Sequence, residues 1–120
     1  GNPVIEKVTS AIDCGVVVNP EGAKNMVEGA VVDGIGNALF GALTLTNGQP
    51  DQQNFDKYRM IRHSEAPKKI DVHFVQNTID PTGLGEPPFP PVFAALANAL
   101  YKATGKRLYN QPFINDLTKA

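Results

Sequence analysis

The chain of 120 residues sets 11 Lys and Arg against 12 Asp and Glu, a formal net charge of -1, with 42% hydrophobic residues. That near-balance argues against a nucleic-acid or acidic-membrane partner, and no apolar run approaches the roughly 20 residues of a bilayer span. A single cysteine, Cys14, excludes an internal disulfide and any iron–sulfur cluster held by this chain alone. The length suits one domain, residues 1–120, able to bury a core without metal or disulfide.

The opening GNPVIEKV has no initiating methionine and no secretory leader, and it enters extended structure almost at once. We expect a segment of a longer polypeptide. The β-branched run VIEKVTSAIDCGVVV (4–18) predicts extended structure with a break near Asp13-Cys14-Gly15. Asn19 then offers an N-cap, Pro20 the first helical position and Glu21 a carboxylate at the positive end of the dipole. Helical spacing continues through Ala23, Met26, Val27, Ala30, Val31, Ile35, Ala38 and Leu39. Gly29, Gly34 and Gly36 each weaken such a helix by about 1 kcal/mol relative to alanine. Its tolerance of all three predicts very close approach to another backbone or to a ligand.

ALTLTNGQ predicts a strand entering a turn at Asn47-Gly48. PDQQNFDKYRMIRHSEAP is polar and irregular, with Phe55, Tyr58 and Met60 as expected anchors. KIDVHFVQ alternates, placing Ile70, Val72 and Phe74 on one face and Asp71 and His73 on the other. A second helix is expected from Pro91 to Ala103, with Val92, Leu96, Ala99 and Leu100 inward and Gly105 as its left-handed cap. RLYNQPF is expected to add a short last strand. The fold class is α/β (α+β): two layers, with two helices packed on one mixed β-sheet.

Few side chains offer chemistry. His63 and His73 lack metal-ligand spacing and read as surface residues, so no metal site is predicted. Cys14 has no CxxC partner and reads as a buried or semi-buried inert thiol. Ser10 and Ser64 lack a nucleophile-elbow setting, and GIGNALFG lies within a helix rather than after a strand. Lys57, Arg59, Arg62, Lys68 and Lys69 alternate with acids, as on a solvated face. In PTGLGEPPFPP, Gly83 and Gly85 allow close approach to a ligand, while Pro87 restricts the backbone of Glu86. Two readings stay open on residue physics alone: an ordinary surface loop, or a fixed general base.

The ordered motifs DCGVVVNP, VEGAVVDGIGNALFG, NFDKYRMIRHSEAP, PTGLGEPPFPPV and ALANALYKATGKR resemble the C-terminal part of the molybdopterin-binding large subunit of the xanthine dehydrogenase/aldehyde oxidase family. RMIRHSEAP and the segment from PTGLGE onward look most like its isoquinoline 1-oxidoreductase β-subunit branch. The resemblance implies part of a molybdenum-cofactor-binding domain in a molybdenum hydroxylase. It implies molybdopterin, as the cytosine dinucleotide, with molybdenum, and an N-heterocycle or aldehyde oxidised with oxygen from water. Glu86 would be the base that takes a proton from a molybdenum-bound hydroxide, with Gly83, Leu84 and Gly85 beside the cofactor. Met26 stands where relatives usually carry a cofactor-bonding glutamine, and its thioether lacks an amide's donor; Asn25 is the neighbouring amide.

Partners implied are the remainder of the large subunit and a small subunit holding 2Fe-2S clusters. The isolated chain is expected to be inactive and to self-associate through apolar surface. The bacterial cytoplasm and the periplasm both fit. A stand-alone cofactor-binding or assembly module, or a degenerate paralogue, is the alternative.

Overall fold

Residues 2–118 are described in the computed structural model of the chain. The first helix, α1 (Pro20–Phe40), starts as its residues dictate: the extended Asn19 accepts a hydrogen bond from the Gly22 N–H at 3.0 Å, and Pro20 occupies the first turn. Val27, Val31, Ile35 and Leu39 repeat at every fourth position, and each is at most 2% exposed. They form the spine of the core.

Strand β1 (Lys7–Ile12) precedes α1 and pairs in parallel with the later β4 (Lys69–Phe74), from Lys7↔Lys69 to Ile12↔Phe74. The parallel pair needs a long crossover, and α1 lies within it. Between them, β2 (Leu45–Thr46) and β3 (Gln49–Pro50) make an antiparallel hairpin. Asn47 and Gly48 both have positive φ, 50° and 78°, the backbone of a type I′ turn. Helix α2 (Pro90–Thr104) buries Val92, Leu96 and Leu100 against α1 and ends at Gly105, whose φ is 73°. A single turn, α3 (Ile114–Leu117), closes the described chain.

The close approach that the helix glycines predict is present at two of the three. A methyl group at Gly34 would lie 2.8 Å from Val92 Cβ, and one at Gly36 would lie 2.9 Å from Ile61 Cγ2. Gly34 therefore lets α2 sit directly on α1, and Gly36 seats the connecting loop. Gly29 has open space beside it.

Several sequence expectations need correction. The layered α/β arrangement holds, but the strands form two separate two-stranded sheets rather than one mixed sheet. The hairpin is polar-edged and exposed, so nothing draws it to the β1–β4 pair. Regular pairing at the N-terminus covers only Lys7–Ile12, because β4 itself is only six residues long. RLYNQPF forms no strand. Instead Phe113, 6% exposed, enters the core and donates its N–H to Ala38 O, serving a carbonyl in the last turn of α1. Ala99 is exposed, one helical position off the inward stripe.

Of the expected loop anchors, Tyr58 is half-buried, whereas Phe55 and Met60 are exposed. Ile61 takes the anchoring role, with the Arg59 guanidinium 4.1 Å from the centre of the Phe40 ring. Arg59 also reaches Glu65 and the Met60 carbonyl, and Glu65 Oε2 accepts the Arg62 N–H at 2.8 Å.

Arg59, and then the Arg62 N–H, hold the Glu65 carboxyl below its ordinary value near 4.5. A carboxyl lowered on folding stabilises the fold above the unfolded value and loses that contribution as pH falls through the folded one. Glu65→Gln is expected to remove this acid limb. The change in melting temperature should correspond to less than about 1 kcal/mol at neutral pH and vanish below the folded value. Thermal melts of both proteins from pH 7 to pH 3 measure the difference.

The Cα radius of gyration is 16.3 Å, with extents of 50 × 35 × 24 Å. A closed domain of this length would have a radius near about 14 Å. The looser shape leaves apolar side chains in water, among them Val18 and Phe55, each 81% exposed. That is the surface the expected self-association requires.

Candidate active site

Past the ends of β1 and β4 the two segments stay together. Val16 N–H donates to Ile79 O and Thr82 N–H to Cys14 O, both at 3.0 Å. Cys14 and Gly15 are buried between them. Thr82 thus opens the PTGLGEPPFPP loop from a fixed point. At the far end, Phe89 N–H donates to Glu86 O at 2.9 Å, making a turn that leads into α2. Pro88 is buried, and the Phe89 ring meets Phe93 edge-on at 5.1 Å between centroids. Pro90 and Pro91 then start α2, where a missing N–H costs nothing.

Between these two fixed ends, Gly83, Gly85 and Glu86 are exposed and Leu84 is half-buried. Among the described residues the Glu86 carboxylate has no hydrogen-bond or ion-pair partner, and the N–H groups of residues 83–86 have no acceptor. Met26 lies next to the loop: a methyl group at Gly85 would come within 3.1 Å of Met26 Cε. The structure therefore brings Met26 of α1 to the Gly85-Glu86 turn, which is distant from it in sequence. Asn25, one position earlier on α1, is exposed.

A groove of about 540 Å³ runs between β1 and α2. Its walls include Ile12, Val31, Pro87, Pro88, Val92 and Leu96, so it begins at the prolines that follow Glu86. His63 and His73 are exposed, and among the described residues no three His, Cys, Asp or Glu side chains group as metal ligands. What the chain offers a cofactor is a run of backbone N–H donors with no acceptor among the described residues, open space beside Gly83 and Gly29, and one carboxylate. These fit a group that brings its own metal ligands and accepts hydrogen bonds from backbone. Met26 fits only by apolar contact, and it fills the space beside Gly85 that a ligand would otherwise reach.

Sequence reasoning missed the residues that hold the loop from behind. Asn77 Nδ2 donates to Asp13 Oδ1 at 2.7 Å, and Ile79 N–H donates to Asn77 Oδ1 at 3.0 Å. Gly15 was visible only as a break in a β-branched run, and nothing local marks Asn77.

The family model described as a molybdopterin cofactor-binding domain matches residues 1–67, which takes in β1 and α1 but not Glu86. The chain is 38% identical over 107 residues to the membrane-bound aldehyde dehydrogenase [pyrroloquinoline-quinone] of Gluconacetobacter polyoxogenes, covering 89% of this chain and 14% of that protein. It is 30% identical over 108 residues to isoquinoline 1-oxidoreductase subunit beta of Brevundimonas diminuta, covering 90% of this chain and again 14% of the relative. The crystal structure of quinoline 2-oxidoreductase from Pseudomonas putida 86 superimposes with a TM-score of 0.78 at 18% identity, over 91% of this chain and 15% of that one. The chain thus spans about a seventh of the length of the relatives it matches.

The chain has the α/β fold of its structural neighbour, and its first half, residues 1–67, is that of a molybdopterin cofactor-binding domain. The chain belongs to the molybdopterin cofactor-binding family of the xanthine dehydrogenase/aldehyde oxidase molybdenum-binding subunits, which are molybdopterin-dependent oxidoreductases. Among the described residues no helix is long and apolar enough to cross a membrane.

Proposed function

We propose that this chain carries the base of a molybdenum hydroxylase that oxidises N-heterocycles or aldehydes with oxygen from water, and that Glu86 is that base. The observation that carries the reading is an exposed carboxylate, without a partner among the described residues, on a loop fixed at both ends. Both substrate classes occur in the relatives' names, as aldehyde dehydrogenase and as isoquinoline and quinoline oxidoreductases. Molybdopterin, as the cytosine dinucleotide, would supply the two-electron oxidation, and 2Fe-2S clusters on a small partner subunit would take the electrons onward.

The chain's own share is positioning and proton transfer. Pro87 restricts the Glu86 backbone to extended conformations, and the turn to Phe89 fixes its carbonyl. An anchored carboxylate of this kind accepts a proton from the oxygen nucleophile as it attacks carbon. The N–H groups of Gly83, Leu84 and Gly85 would hold the cofactor, and Met26 would support them from α1. Asn25 is the nearest side-chain amide in sequence to take the hydrogen bond that Met26 cannot make. A base works best away from bulk water, and in this reading the remainder of the large subunit covers the exposed loop. Either the bacterial cytoplasm or the periplasm would suit such an enzyme.

The test is turnover of aldehydes and N-heterocycles by the complete enzyme in water enriched in oxygen-18. Incorporation of solvent oxygen into the product is the expected result. Oxygen derived from dioxygen, or no oxidation of either class by enzyme shown to contain molybdenum, would overturn the reading.

A further inference from the structure

Because Glu86 has no side-chain partner among the described residues, its place is set by backbone alone. That backbone belongs to a long irregular connection between β4 and α2. Its first half is held by one short segment, residues 12–16. Val75 N–H donates to Ile12 O at 2.8 Å, the Asn77 amide bonds Asp13, Ile79 O accepts from Val16 N–H, and Thr82 N–H bonds Cys14 O.

Gly15 lies at the centre of this template. Its φ is +72°, a left-handed backbone that side chains disfavour, and it is buried. A methyl group there would stand 2.4 Å from Asp80 O and 2.7 Å from Ile79 O. Both obstacles are backbone carbonyls, which cannot rotate aside as a flexible side chain could. Any side chain at position 15 must push residues 79–80 outward, and with them Thr82, where the glycine-rich loop begins. The Asp13–Asn77 pair spans the same two segments from the exposed side.

We propose that Gly15, seated against the Ile79 and Asp80 carbonyls, is a positioning residue that sets where Glu86 stands, with the Asp13–Asn77 pair as its lateral tie. This rests on Glu86 acting as the base. A small misplacement of a catalytic group lowers rate far more than binding, on the order of 10²-fold for about 1 Å. In the complete enzyme, Gly15→Ala is expected to reduce kcat per bound molybdenum by about that factor with KM unchanged, any loss of molybdenum from the displaced 83–85 loop being divided out by metal analysis. Should Gly15→Ala fail to fold, Asn77→Ala, which removes the half-buried tie to Asp13 and the acceptor of the Ile79 N–H but inserts nothing, is expected to fold with a small fall in melting temperature and to lower kcat about 5-fold.

Hydrogen exchange read by mass spectrometry supplies the second measurement. Peptides covering 79–86 should exchange faster in either variant, while those covering 90–100 should not. Faster exchange with unchanged kcat would overturn the proposal, as would unchanged exchange with reduced kcat. The exchange arm does not depend on what Glu86 does. Failure of the base reading would show separately, as full activity in Glu86→Gln.

Discussion

Replacing Glu86 by glutamine in the complete enzyme is expected to lower kcat by about 10²- to 10⁴-fold, the usual contribution of a positioned general base. KM, molybdenum content and melting temperature should stay as in the parent protein. The amide keeps the size and hydrogen-bonding reach of the carboxylate but cannot accept the proton. Because Glu86 is exposed and bonds no described side chain, the change breaks no contact within this fold. Only its chemistry is removed. Steady-state kinetics with metal analysis of the same preparation make the measurement. Activity within a factor of two of the parent would sink the base assignment. A fall in molybdenum content matching the fall in rate would instead make Glu86 a residue that retains the cofactor.

The neighbouring Met26 bears on the same loop differently. Its terminal methyl, from α1, stands where a side chain at Gly85 would project, and its thioether cannot act on a proton. The carboxylate and its support therefore separate into one residue of chemistry and several of placement. A similar division runs between what local sequence specifies and what distant partners specify. Signals that act within a few residues were readable: the Asn19 cap, the Asn47-Gly48 turn and the Gly105 cap appear where local chemistry places them, and in β4 Ile70, Val72 and Phe74 are half-buried and His73 exposed as expected, while Asp71 is half-buried too. Features set by a partner distant in sequence were not. The length of β1 is decided by β4, the anchoring by Ile61 is decided by the gap at Gly36, and the burial of Phe113 is decided by the end of α1.

The site follows the same rule. Local sequence showed a glycine-flanked, proline-stiffened acid and could not choose between a loop and a base. Resemblance of the ordered motifs supplied that choice. The template beneath the loop joins Asp13, Gly15 and Asn77 across the whole crossover, and no local pattern announces it.

Leu39→Ala is expected to destabilise the fold by about 2–5 kcal/mol, the range for truncating a buried leucine. Leu39 is 2% exposed and ends the Val27–Val31–Ile35 spine, where α1 meets Phe113 and α2 in one cluster. Because Gly34 lets the helices meet directly, the surroundings have little room to collapse into the cavity. A small protein has only about 5–15 kcal/mol of stability in total, so this one change removes a large share. For a domain near this size, about 3 kcal/mol corresponds to a fall in melting temperature of roughly 10–15 °C. Leu45→Ala is the matched control: the same atoms leave a side chain that is 64% exposed, and the expected change lies within about 0.5 kcal/mol. Thermal and urea melts of the two variants side by side measure the contrast. Equal losses at both positions would show that α1 is not the spine of the core. A large loss at Leu39 alone would identify α1 as the support on which α2, through its Val92 contact at Gly34, is seated.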